Sequence, residues 1–113
     1  MHEMSLVEGV RELIIEAAAR EGFTRVRSVR VEIGQLSGVE REAFEFCFDL
    51  AMRGGIADGA RLDVVATPGR GRCAACGQET ALAMIYDPCE HCGAYPVEVI
   101  AGTAMRVIDL EVE

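Results

Sequence analysis

The sequence predicts an α+β fold in which two helices pack on a small mixed three-stranded sheet, with a four-cysteine module inserted before the last strand. Three observations predict this class. Two segments carry apolar residues at helical spacing, three carry them at alternating positions, and two C-x-x-C motifs precede the last alternating segment. Because a single terminal strand does not stabilise itself, we expect the last strand to return and pair with the first two.

The first predicted helix begins close to the start of the chain. Ser5 and Glu8 have the spacing of a capping box, and Gly22 is the expected end of the helix. Apolar residues recur every three or four positions, which predicts one buried face formed by Leu6, Val10, Leu13, Ile14, Ala17 and Ala18.

The second predicted helix repeats these signals. Ser37 and Glu40 again have the spacing of a capping box, and the stretch from Arg53 to Gly55 is the expected end. Its apolar stripe consists of Phe44, Cys47, Phe48 and Ala51, widened by Phe46 and Leu50. We interpret Cys47 as a small buried core residue rather than a metal ligand, because free cysteine is among the most buried residue types.

Three segments alternate as strands do. The first contains Val29, Val31 and Ile33, the second contains Leu62, Val64 and Ala66, and the third runs from Met105 to Val112 with a change of phase between Val107 and Ile108. The Pro-Gly-Arg-Gly stretch at 68–71 has the composition of a hinge leading into the cysteines. We therefore expect an α+β domain over residues 1–72, completed by the strand at 97–113, and a module at 73–96.

The strongest motif is the repeated C-x-x-C-G. Each pair places two thiolates on one side of a tight turn, and two facing turns supply the tetrahedral donor set that Zn²⁺ favours in a closed structural site. Alternative interpretations are iron on the same thiolates, a dithiol redox centre, or two disulfides in an oxidising compartment. The predicted zinc ligands are Cys73, Cys76, Cys89 and Cys92, with Gly77 and Gly93 following each pair.

Charge and hydropathy exclude two classes of partner. The formal net charge is −8, which disfavours nucleic acid because such binding requires neutralisation of phosphates. No apolar run has the length of a membrane span, and the first residues lack the pattern of a secretory signal. We therefore expect no nucleic acid, no membrane and a reducing cytoplasm.

Several segments together resemble the HypA/HybF family of hydrogenase maturation proteins. These are the initial Met-His-Glu-Met-Ser, the segment Glu-Ile-Gly-Gln-Leu-Ser-Gly-Val at 32–39, the two C-x-x-C pairs, and the final Glu-Val-Glu. The combination of the Met-His-Glu start with the cysteine quartet is specific, although neither part would be alone.

The resemblance implies a nickel metallochaperone, not an enzyme, that delivers Ni²⁺ to the large subunit of [NiFe]-hydrogenase. It implies a nickel site at Met1, His2 and Glu3, and a structural zinc on the four cysteines. The partners that it implies are a nickel-inserting GTPase and, in some organisms, the urease maturation system. Some members carry histidines just outside the cysteine pairs, where pH-linked ligand exchange has been proposed, but His91 lies inside the second pair and we do not expect that behaviour here. We interpret His91 as an exposed turn residue, with an auxiliary metal contact as the alternative.

The chemistry of the N-terminus is compatible with nickel. The α-amine, the His2 amide nitrogen and the His2 imidazole can form fused chelate rings, with the Glu3 amide nitrogen as a further donor, and planar nitrogen donors suit Ni²⁺ or Cu²⁺. Simpler interpretations are a solvated His2 and a Glu3 carboxylate placed favourably near a helix N-terminus.

Two other classes of function remain open from the sequence. One is a zinc-ribbon module for protein interaction or for a nucleic-acid complex, without nickel transfer. The other is a thiol oxidoreductase, although no catalytic base, phosphate-binding loop or nucleophile motif supports an enzyme.

Overall fold

The computed structural model describes residues 3–113. Its elements in chain order are α1 (Glu3–Glu21), β1 (Val26–Gly34), α2 (Arg41–Met52), β2 (Arg61–Thr67), β3 (Gly69–Arg72), β4 (Glu79–Leu82), β5 (Glu98–Ala101) and β6 (Met105–Val112). Contacts divide the chain into two compact units. The first unit contains 3–31, 39–64 and 107–113, and the second contains 32–38 and 65–106.

The predicted three-stranded sheet is confirmed, with strand order β2-β1-β6. The β6 strand runs antiparallel to β1: the Gly34 N–H donates to the Ala104 carbonyl, and the Glu113 N–H donates to the Arg25 carbonyl at the other end. The strands β1 and β2 run parallel, and α2 connects them as a crossover helix. The sheet is therefore mixed, as expected.

The change of phase predicted in β6 agrees with its side-chain contacts. Arg106 donates to Glu32 of β1, whereas Asp109 accepts from Arg30 of the same strand. Glu32 and Arg30 are two residues apart and project from the same face of β1, but their partners on β6, Arg106 and Asp109, are three residues apart. The alternation of β6 therefore shifts by one residue between these two contacts.

The first unit has a conventional apolar core between its helices and β1. Cys47 is buried there, 6% exposed, as predicted. Val7 is fully buried although the predicted stripe omitted it, while Leu13 and Phe46 are 45% and 65% exposed although the stripes included them. The buried apolar residues of the two helices are Val7, Val10, Ile14 and Ala17 on α1 and Phe44, Cys47, Phe48 and Met52 on α2.

Both predicted capping boxes are wrong about where the helices begin. Glu3 is already helical, so Ser5 lies within the first turns of α1. Glu40 is the N-cap of α2, and its own carboxylate accepts the Glu42 N–H at 3.3 Å. Ser37 instead closes a tight turn, in which its N–H donates to the Gly34 carbonyl at 3.0 Å. The predicted ends at Gly22 and Arg53 agree with the structure.

The second unit contains an antiparallel sheet that the sequence did not predict, with order β4-β3-β5. Its central strand, β3, occupies the stretch that was expected to be a hinge, and that prediction is wrong. It pairs with β4 from Gly69 opposite Leu82 to Arg72 opposite Glu79, and with β5 on its other edge. Two glycines in four residues have the composition of a loop, but here both lie in a strand whose neighbours leave no room for side chains.

Crowding explains these glycines. A Cβ atom on Gly69 would meet the Leu82 carbonyl oxygen and would lie 2.7 Å from Cγ of Leu36. A Cβ atom on Gly71 would meet the Val97 side chain and would lie 2.7 Å from Cδ1 of Leu82. Only a residue without a side chain fits at these positions, because neighbouring atoms fill the space.

The second unit is larger than the 73–96 module expected from the sequence. It also takes in 65–72 and 97–106, which supply β3 and β5, and the segment 32–38. In that segment the Leu36 N–H donates to the Gly102 carbonyl at 2.7 Å, and the Gln35 side-chain oxygen accepts the Gly69 N–H at 3.2 Å. Leu36 also packs against the buried cluster of this unit.

We predict that Gly71→Ala destabilises the second unit by about 1–3 kcal/mol, the usual cost of overpacking a tight site. Chemical denaturation of the metal-loaded protein measures this loss. The matched control is Gly9→Ala on α1, where an added Cβ atom meets nothing within 4 Å. This control should be neutral or slightly stabilising because alanine favours helix. Equal stability of the two variants would contradict the packing argument.

Candidate metal centre

The structure brings the four predicted cysteines of the C-x-x-C pairs together. Their sulfur atoms all lie within 4.8 Å of one another, with 3.6 Å between Cys73 and Cys92 and 3.8 Å between Cys76 and Cys89. A tetrahedral ion with metal–sulfur bonds of about 2.3 Å requires sulfurs about 3.8 Å apart. The donor set therefore fits one tetrahedral ion with no position left open.

The two loops that carry the sulfurs are nearly identical. In the first, the Gly77 N–H donates to the Cys73 carbonyl at 2.8 Å, and in the second, the Gly93 N–H donates to the Cys89 carbonyl at 2.8 Å. Both glycines have positive φ, 76° and 75°, which residues with a Cβ atom rarely adopt. The glycine after each pair is thus required by the turn, as the sequence predicted.

The site is buried on one side and exposed on the other. Cys73 and Cys89, the first cysteine of each pair, are 1% and 2% exposed and belong to the apolar cluster of the second unit. Cys76 and Cys92 are exposed. The ion would therefore lie between a small core and the surface, with two of its four ligands in that core. The other members of the cluster are Leu82 and Val97, with Leu36, Ala94 and Val99 packed around them.

The local environment shifts the pKa values of the four thiols in different directions. Burial raises the pKa of Cys89, but donation from the backbone N–H groups of Cys92 and His91, with help from the neighbouring thiols, lowers this pKa to about 6. Donation from the Ala94 N–H lowers the pKa of Cys92, yet its contact with Cys73, its burial and the other thiols raise this pKa to about 12. Four close thiols cannot all ionise without a cation, because each new thiolate repels the others.

The pKa values of the other two thiols follow the same pattern. Donation from the Cys76 N–H lowers the pKa of Cys73. Donation from the Gln78 N–H also lowers the pKa of Cys76, but burial and the thiols of Cys73 and Cys89 raise this pKa overall. A divalent cation would reverse these upward shifts, since it favours the thiolate at every ligand.

Residues inside the second C-x-x-C attach this loop to β4. The Glu90 carboxylate accepts the Ala81 N–H at 2.6 Å and the Thr80 hydroxyl at 3.2 Å, while the Glu90 N–H donates to the Thr80 hydroxyl at 3.0 Å. Thr80 is fully buried. Sequence reasoning missed this pair, and a carboxylate between two ligand cysteines was the available signal. Hydrogen bonds of this kind orient the residues that carry the ligands.

His91 is exposed and does not face the sulfur atoms. Its ring Nε2 lies 3.1 Å from the Glu79 carbonyl oxygen, and its backbone N–H donates to the Cys89 sulfur at 3.4 Å. These contacts agree with its interpretation as an exposed turn residue. Cys47 is outside the group of four sulfurs. All five cysteines lie among the described residues, and all are free thiols.

The predicted nickel ligands lie at the start of the chain. Met1 and His2 are outside the described residues. Glu3 is the first described residue of α1 and is 7% exposed. Its carboxylate accepts the Glu40 N–H at 3.1 Å, which joins the start of α1 to the start of α2.

Within residues 3–113, no helix is long and apolar enough to cross a membrane. Two helices on a mixed sheet, together with a closed four-thiolate cluster, define a small metal-binding protein of the α+β class. A family described as "Hydrogenase/urease nickel incorporation, metallochaperone, hypA" matches residues 1–112. The chain belongs to this HypA family of nickel metallochaperones, and it is a maturation factor rather than an enzyme.

Individual proteins support the same assignment. The chain is 50% identical to a hydrogenase maturation factor HypA of Albidiferax ferrireducens and 48% identical to one of Alkalilimnicola ehrlichii, and each match covers all of both chains. The solution structure of the Ni metallochaperone HypA from Helicobacter pylori is similar with a TM-score of 0.70 at 28% identity, over 99% of this chain and 97% of that one. The resemblance stated from the sequence is confirmed.

We predict that Cys92→Ser removes the stoichiometric metal ion and lowers the melting temperature, because binding free energy at a structural site is also folding free energy, about 10 kcal/mol or more. Elemental analysis and thermal unfolding measure the two effects. Cys47→Ala is the control, since it removes a buried thiol that is not a ligand and should leave the metal content unchanged. A full metal content in Cys92→Ser would argue against the assigned ligand set.

Proposed function

We propose that this chain binds Ni²⁺ at its N-terminus through Met1, His2 and Glu3, and delivers the ion during maturation of [NiFe]-hydrogenase. The observation that carries the proposal is the family match over residues 1–112, which includes the initial Met-His-Glu. Nickel incorporation is the activity in the family description, and the matched relatives are hydrogenase maturation factors.

The donor atoms at the start of the chain suit this ion. In a protein that begins at Met1, the α-amine, the His2 amide nitrogen and the imidazole can bind one ion in a plane, a geometry that Ni²⁺ accepts. Glu3 contributes its amide nitrogen, and an α-helix leaves the N–H groups of its first turn without an intrahelical acceptor. The Glu3 carboxylate is already hydrogen-bonded to the Glu40 N–H, so its role is to hold the site in position.

A second ion, Zn²⁺, is proposed for Cys73, Cys76, Cys89 and Cys92. Zinc favours four sulfur ligands in a tetrahedron, which the sulfur positions provide. Iron accepts the same ligands, and elemental analysis distinguishes the two metals. The zinc is structural, because four protein ligands leave no position for a substrate. The two metals are thereby separated by donor type: thiolates retain zinc, and nitrogen donors take up nickel.

Transfer requires partners that accept the ion. We expect a nickel-inserting GTPase, the large subunit of [NiFe]-hydrogenase and, in some organisms, the urease maturation proteins. We also expect the protein to work in the cytoplasm, where reducing conditions keep the four cysteines available as metal ligands.

We predict that His2→Ala abolishes stoichiometric nickel binding, because it removes the imidazole from the chelate. Calorimetric titration of untagged protein with NiCl₂ measures this, and zinc content and thermal unfolding should not change. A second preparation, extended by residues before Met1, should lose nickel binding in the same way, since the extension converts the amine into an amide. Unchanged nickel affinity in both proteins would overturn the proposal.

A separate pair of variants tests the role of Glu3. Glu3→Gln keeps an oxygen acceptor for the Glu40 N–H, so nickel stoichiometry and stability should be retained. Glu3→Ala removes that acceptor and should destabilise the protein by about 1 kcal/mol. If Glu3→Gln alone lost nickel, the carboxylate itself would be a ligand and the assignment to the amide nitrogen would be wrong.

A further inference from the structure

The first unit contains an apolar pocket of about 170 Å³ that the proposed nickel and zinc sites do not use. Buried core residues form its floor: Ile14 of α1, Met52 of α2 and Ala57 after α2 line it and are each no more than 3% exposed. Its rim includes Ile15, which is 47% exposed although it is a large apolar side chain. The pocket therefore opens to solvent over an apolar surface.

The wall that follows α2 is held by hydrogen bonds. The Gly55 N–H donates to the Met52 carbonyl at 3.2 Å, and the Gly55 carbonyl accepts the Asp58 N–H at 3.1 Å. The Asp58 carboxylate accepts the Gly54 N–H at 3.0 Å, and the Asp58 backbone carbonyl accepts from the Arg25 guanidinium at 3.0 Å. The pocket is thus formed in advance rather than by an adaptable loop.

Gly55 keeps the rim of the pocket open, and the fold does not require a glycine there. Its φ is not positive, and an added Cβ atom would meet only the Met52 carbonyl oxygen at 3.7 Å, an ordinary contact. A larger residue would fit the backbone but would occupy the space above Met52 and Ala57. The local conformation does not explain the glycine, whereas an occupant of the pocket would.

Arg11 lines the same pocket and brings a charge to its apolar rim. All eleven basic residues of the chain are arginines. Within residues 3–113, nine of them contact a carboxylate or a backbone carbonyl, while Arg11 and Arg53 have no such contact. In a chain with net charge −8, a guanidinium without a carboxylate is a local exception.

The volume decides which kind of ligand fits. Pockets for cofactors and similar small molecules usually measure about 300–1,000 Å³, so this one is too small. It suits one large aliphatic or aromatic side chain, the type that anchors protein interfaces. We propose that the pocket receives one apolar side chain of a partner polypeptide, and that a neighbouring carboxylate of this partner binds the Arg11 guanidinium.

Methyl NMR of the full, metal-loaded chain tests the site with two probes, N-acetyl-leucine and N-acetyl-leucine amide. We expect saturable millimolar binding of the acid, with shifts at Ile15, Met52 and Ile56. The amide should bind about two- to fivefold more weakly, the difference that an exposed ion pair supplies. Absence of saturable shifts at these methyl groups, or stronger binding of the amide, would overturn the proposal.

Two pairs of variants assign the contacts. Gly55→Leu should fill the pocket and abolish binding, whereas Gly9→Leu adds the same side chain where nothing lies within 4 Å and should have no effect. Arg11→Gln should remove the preference for the acid over the amide. Arg20→Gln is the charge-matched control on the same helix, because Arg20 contacts only its exposed neighbour Glu21, and it should preserve the preference.

A longer probe decides whether the occupant is a polypeptide. We expect a blocked helical peptide with Leu and Glu one turn apart to compete with N-acetyl-leucine at the same methyl groups, and its Glu→Gln analogue to compete more weakly. Competition that Gly55→Leu abolishes supports a partner segment. If only the amino acid derivative binds, the pocket takes small carboxylates and the proposal of a protein partner fails.

Discussion

The second unit depends on four cysteine sulfur atoms that lie close enough together to bind one metal ion. Its apolar cluster is small, and two of its four buried members are themselves ligand cysteines. So few apolar side chains do not offset the entropy of ordering about fifty residues, whereas one structural metal ion contributes about 10 kcal/mol or more. A bound ion would also favour the thiolate at Cys92, whose pKa is raised by its contact with Cys73, by burial and by the other thiols, whereas donation from the backbone N–H groups of Cys92 and His91 lowers the pKa of Cys89 despite its burial. Binding of a metal ion to the four cysteines would therefore contribute directly to the folding of this unit.

The first unit is stabilised in a different way. Its helices and β1 bury large apolar side chains, among them Phe44, Phe48 and Ile14, and this burial needs no metal. The ion pairs on its surface, such as Arg30 with Asp109, are about half exposed and contribute little individually. One polar contact has a specific consequence, since the Glu3 carboxylate attaches the start of α1 to the start of α2. The proposed nickel site therefore adjoins an anchored helix.

Several features escaped sequence reasoning because short-range patterns do not report distant neighbours. The stretch Gly69–Arg72 has the composition of a turn, and only the proximity of Leu36, Leu82 and Val97 explains why a strand needs glycines there. The capping boxes failed for a related reason. Glu40 caps α2 with its own carboxylate, and its N–H is satisfied by Glu3, thirty-seven residues away. The contact with Glu3 has no fixed spacing that a sequence pattern could reveal, whereas the cap by Glu40 is local and was missed because the capping-box pattern favours Ser37 as the cap.

The sequence by itself determined the group of four cysteines, the presence of the two helices, the three strands of the mixed sheet and the family. These features depend on local spacing: two residues between cysteines, a glycine where φ must be positive, and apolar periods of a helix or strand. Tertiary structure alone decided where the second unit ends, that Gly69–Arg72 is its central strand, and that a pocket beside Arg11 stays open. Those features depend on contacts, or on unfilled space, between residues that are far apart in the chain.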